Sequence, residues 1–153
     1  MTSPVPAVDP ADFTDEAIAK LAPVCNECGT DTERRVVLVR GSAVYARRAD
    51  LHDLWFWRCS CGAYCGTHIG TLKSKGTPAG FATREARKRA HAAFDPLWKR
   101  KATEAGIKLP HARAKGYKWL AAQLEIEPAK CLIGEMTEHD ADRVTALCSR
   151  YRR

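Results

Sequence analysis

The chain has 153 residues, 45% hydrophobic and 28% charged, a balance that fits one folded domain and excludes a disordered polymer. No apolar run approaches the ~18 residues of a membrane span, and no basic-then-apolar leader opens the chain, which speaks against a membrane protein and against signal-directed export. Lys and Arg number 25 against 18 Asp and Glu, and the excess is uneven: residues 71–118 hold thirteen basic side chains against only Glu85, Asp95 and Glu104.

In chain order, residues 1–12 contain Pro4, Pro6 and Pro10 with little to bury, and read as a flexible tail. A single domain is expected over 13–153, with a ribbon part at 24–70 and a helical part at 82–153. Thr14 followed by Asp15 and Glu16 marks a helix start, and Pro23 stops that helix after about Ala22. Three short strands are expected at Val36–Val39, Ala43–Tyr45 and Leu54–Trp57, the first two joined by a turn at Gly41-Ser42. Residues 62–80, with Gly62, Gly66, Gly70, Gly76 and Gly80, read as an irregular connector.

From Thr83 the period becomes helical. Ala86, Ala90, Ala93 and Leu97 fall on one stripe, and Arg84, Arg87, Lys88 and His91 on another. Asp95-Pro96 looks like a cap followed by a first helical residue, so a new helix is expected there, ending at Gly106. A further helix is expected over about 111–125, with Tyr117, Leu120, Ala121 and Leu124 on one face. The last begins at Thr137, where Thr137-Glu-His-Asp140 approximates a capping box, with Ala141, Val144, Cys148 and Tyr151 as its stripe.

Seven cysteines do not pair evenly, and their spacing points to metal rather than to disulfides. Cys25 and Cys28 are two residues apart, followed by Gly29, which permits a tight turn; Cys59 and Cys61 follow, one residue apart, before Gly62. Close pairs of thiolates suit the closed tetrahedron of structural Zn²⁺, so Cys25, Cys28, Cys59 and Cys61 are the expected ligands, with Cys65 or His68 as substitutes for Cys61. Cys131 and Cys148 stand on apolar stretches and read as core residues. Free thiols imply a reducing compartment, hence a cytoplasmic protein.

The run Trp57-Arg-Cys59-Ser-Cys61-Gly-Ala-Tyr64-Cys65-Gly-Thr-His68 resembles the central motif of a phage and bacterial family of zinc-finger-containing domains of unknown function. The likeness continues through Arg84-x-x-Arg87-x-x-x-His91-x-x-Phe94-Asp95-Pro96-Leu97-Trp98, Tyr117-x-Trp119-Leu120 and Ile133-Gly134. Cys65 stands where the family pattern leads one to expect Val, and Leu132 where it leads one to expect His. The resemblance implies zinc and a phage or mobile-element setting, and leaves activity open.

The expected fold is α+β: an N-terminal zinc ribbon of short antiparallel strands packed on a C-terminal cluster of three to four helices. The expected function is an accessory one, with Arg84, Arg87, Lys88, Arg89 and His91 binding the phosphate backbone of nucleic acid. Trp98, Tyr117 and Trp119 lie near enough in sequence to stack on unpaired bases, or else they are core rings. One alternative is a module that grips a host protein. Another is a metal-dependent nuclease using His68, His91 and Asp95.

Overall fold

A computed structural model describes residues 8–28 and 36–152, which fall into two compact units, Met1–Gly80 and Phe81–Arg153. The architecture is the expected one: a three-stranded antiparallel sheet followed in the chain by a cluster of helices. Among the described residues, no helix is long and apolar enough to cross a membrane.

In the first unit, helix α1 spans Asp15–Leu21, and the Thr14 hydroxyl accepts the Ala17 N–H at its start. Strands β1 (Val36–Arg40), β2 (Trp55–Cys59) and β3 (Tyr64–Gly66) pair in the order β1-β2-β3. Val36 lies opposite Cys59 and Arg40 opposite Trp55, while Phe56 faces Gly66 and Arg58 faces Tyr64. The neighbours Phe56 and Trp57 point to opposite faces of the central strand, yet both are buried. Trp57 donates its indole N–H to the Leu72 carbonyl, and on the other face Phe56 meets Tyr45 and Tyr64 edge-on.

Two expectations for this unit fail. The stretch after β1 is not a strand but a single helical turn, α2, spanning Gly41–Val44. Gly41 runs so close to the 51–56 segment that a Cβ on it would stand 1.7 Å from the Leu51 carbonyl oxygen, and its N–H donates to the Leu54 carbonyl. The turn follows from that close approach, which only glycine allows. The glycine-rich connector also carries structure: β3 lies within it, and Tyr64 and Thr67 form further bridges with Ala79 and Ser74.

In the second unit, α3 spans Phe81–Ala105, α4 spans Leu109–Leu124 and α5 spans Glu138–Ser149. The expected break at Asp95-Pro96 is absent, and α3 runs through Pro96. Asp95 does not cap a backbone N–H. Its two oxygens take the Trp98 indole N–H and the His91 ring. Ala86, Ala90 and Phe94 before the proline and Ala102 after it are all buried, so packing holds one helix across a position that disfavours it. Tyr117, Leu120, Ala121 and Leu124 of α4 and Ala141, Val144 and Cys148 of α5 complete the core as their spacing indicates, with Cys131, Ile133 and Met136 filling between the helices. Thr137 caps α5 by accepting the Asp140 N–H.

Pro96 is exposed, so replacing it by Ala removes no packing. An interior proline costs roughly 3 kcal/mol, whereas the freedom regained by the unfolded chain offsets only about 1 kcal/mol. Pro96→Ala is therefore expected to stabilise the protein by about 2 kcal/mol in urea unfolding. A loss of stability would instead indicate a helix boundary at this residue.

Candidate metal centre

The cysteines are positioned by two turns. Cys59 ends β2 and its N–H donates to Ala63, while Gly62 donates to the Cys59 carbonyl, so the chain reverses within Cys59-Ser-Cys61-Gly62 and returns as β3. Gly62 has φ +97°, a conformation open to glycine and strained for other residues. The other turn carries Cys25 and Cys28; Asn26 N–H donates to Pro78 and the Glu27 carboxylate accepts the Gly80 N–H. Residues 78–80 thus brace the first turn, and Ala79 joins the brace to Tyr64 just beyond the second. Gly29, expected to ease the first turn, lies outside the described residues.

The four sulfurs of Cys25, Cys28, Cys59 and Cys61 converge, each within 4.8 Å of the others. The Sγ–Sγ separations are 3.7 Å for Cys25–Cys61 and 3.8 Å for Cys28–Cys59. A tetrahedron with Zn–S bonds of about 2.3 Å has edges of about 3.8 Å, so these two edges match it and the other pairs stand within reach of it. No two are bonded to each other, since all seven cysteines are free. Cys25 and Cys59 are buried beside Ala63, with Cys28 and Val36 packed against them.

The electrostatics of the cluster call for a cation. Burial pushes the Cys25 thiol up to about 12, against the opposing pull of the Cys28 and Glu27 backbone N–H groups. Burial also raises Cys61. At Cys59 burial pushes the same way, but the Cys61 N–H and the three neighbouring thiols outweigh it and bring the group down to about 7. One thiolate is thus available near neutrality, and a dication offsets the cost of ionising the others. The sulfurs fit Zn²⁺ in number, softness and geometry, and four protein ligands leave no position open for water, so the site is structural.

Of the substitutes, Cys65 directs its sulfur to the Gly76 carbonyl at 3.9 Å and His68 is exposed; neither belongs to the cluster. Cys131 and Cys148 are buried in the helical core, where burial raises both thiols, Cys148 to about 11.

Two short turns that clamp one tetrathiolate centre at the end of a small antiparallel sheet define a zinc-ribbon class of domain. Residues 22–151 match a family of zinc-finger-containing domains, and the chain belongs to that family. No curated protein and no solved structure matches it.

The basic side chains singled out on α3 are placed differently from one another. Arg87 is not on the surface: it is buried and its Nε donates to the Met136 carbonyl at 2.8 Å. Lys88 pairs with Glu85 at 2.9 Å, Arg89 with Asp142 at 3.2 Å, and His91 with Asp95 at 3.3 Å; Arg84 is half-buried. Tyr117 is a core ring set edge-on to Phe94, whereas Trp98 and Trp119 are only half-buried.

Elemental analysis is expected to give one zinc per chain, lost in Cys59→Ser and retained in Cys65→Ser and His68→Ala. Zinc lost from either of the latter would move the fourth ligand away from Cys61. Zinc affinity in a chelator competition is also expected to fall from about pH 8 to about pH 6, because protons compete for the sulfurs; an affinity independent of pH would exclude thiolate ligands.

Proposed function

We propose that this zinc-stabilised domain binds nucleic acid through the phosphate backbone, using cations of α3 and α4 beyond Pro96. The supporting observation is a set of charges without counterparts. Lys99, Arg100, Lys101, Lys108, Arg113, Lys115 and Lys118 lie within 20 residues that hold a single acid, Glu104. Among the described residues, none of the seven has an acid within ion-pair distance. Six are exposed and Arg100 is half-buried. These charges, six on two adjacent helices and Lys108 at the cap of α4, create a positive field suited to a polyanion.

The earlier stretch of α3 contributes less to this reading. Lys88, Arg89 and His91 each already have a carboxylate, so a phosphate would have to displace Glu85, Asp142 or Asp95. Arg87 is committed to Met136. Phosphate contact on the expected stripe is therefore secondary, with Arg84, Lys88 and Arg89 extending the footprint. Binding of this kind reads charge and not base sequence.

Affinity measured by fluorescence anisotropy is expected to fall linearly on a log–log plot against salt, by about 0.7–0.9 per phosphate contact. The triple change Lys101→Glu, Lys115→Glu and Lys118→Glu is expected to weaken binding to all sequences alike and to flatten that slope. Lys88→Glu is expected to do much less. Equal losses from Lys88→Glu and the triple change would place the footprint back on the first half of α3.

A further inference from the structure

Between α3, α4 and the chain beyond α5 lies an open cleft of about 540 Å³, within the size range of small-ligand pockets. Four aromatic rings line it, the buried Phe94 and the more accessible Trp98, Trp119 and Tyr151, together with three cations, Arg100, Lys101 and Lys115, and no acid. The rings are held in place. Trp98 donates its indole N–H to Asp95 at 3.0 Å, and Tyr151 stands edge-on to Trp119 with ring centres 5.5 Å apart. Arg100 ties the Tyr151 carbonyl back to α3 at 3.4 Å. Gly116 lets α4 run close here, since a Cβ on it would meet the Trp98 Cβ at 3.0 Å.

Three of these rings are not sealed in the core: Trp98 and Trp119 are half-buried and Tyr151 is 48% exposed. An open, mostly apolar cleft whose charged lining is all positive complements a planar ring that carries a negative group. We infer that the cleft takes an unpaired nucleotide of a single-stranded nucleic acid, its base against the aromatic rings and its phosphates on Arg100, Lys101 and Lys115. The inference rests on the phosphate-binding reading above and adds a preference to it. A duplex keeps its bases stacked on one another and offers the cleft none, so single strands are favoured while duplexes engage the cations alone.

The test uses the full zinc-loaded chain with three probes at one salt concentration: an oligothymidylate strand, the same strand annealed to its complement, and inorganic polyphosphate. The single strand is expected to bind tightest and to quench tryptophan fluorescence. Trp119→Ala is expected to weaken single-strand binding about 5- to 150-fold, the loss of one stacked base, and to erase the preference over duplex. Trp119→Phe is expected to keep most of that preference. Tyr151 lies past the end of α5 and is exposed, so Tyr151→Ala provides the same reading should Trp119→Ala fail to fold. Equal binding of all three probes, or variants that weaken all three alike, would overturn the base cleft and leave the phosphate reading intact. No binding of any probe would overturn both.

Discussion

The first unit depends on four sulfur atoms meeting at one point. Its sheet has strands of five, five and three residues, and among the described residues the buried cluster around the sulfurs is Cys25, Cys59 and Ala63, with Cys28 and Val36 packed against it. Strands this short bury little around the sulfurs, whereas a structural zinc site contributes on the order of 10 kcal/mol in zinc-finger peptides. The geometry of the two turns follows from that need. Gly62 adopts a conformation that other residues resist so that Cys61 can reach back toward Cys25, and the buried Pro78-Ala79 segment holds the Cys25 turn in place.

The second unit is stabilised by other means. Its core is a continuous apolar cluster from α3, α4 and α5 in which small residues, Ala86, Ala90 and Ala141, allow close helix packing around Phe94, Leu120 and Val144. Because hydrophobic burial carries this unit, its exposed side chains are available for another purpose. Acids pair with Lys88, Arg89 and His91 on the first half of α3, and among the described residues none stands within ion-pair distance of the cations on its second half and on α4. The four-cysteine cluster and the unpaired positive charge thus fall in different parts of the chain.

The zinc ligands were legible in the sequence because metal chemistry restricts both residue type and spacing, and Cys25-x-x-Cys28 with Cys59-x-Cys61 satisfies both. The helical core was legible for a similar reason: Tyr117, Leu120, Ala121 and Leu124 recur at the helical period. What escaped depends on contacts distant in sequence. The helical turn at Gly41 is imposed by Leu51 and Leu54, β3 exists because β2 is there to pair with it, and α3 survives Pro96 because both halves bury residues. The basic stripe divided for the same reason. Periodicity grouped Arg84, Arg87, Lys88 and His91, but Met136 and Asp142, each some fifty residues away, decided which cations of α3 are committed.

The most direct test of the central claim is the near-ultraviolet circular dichroism of the demetallated chain as zinc is added back. Trp55, Trp57, Tyr45 and Tyr64 all belong to the unit that the sulfurs hold together. The account predicts a signal that grows linearly to one equivalent of zinc and then stays constant. A metal-free chain that already shows the full signal, unchanged by zinc, would contradict it.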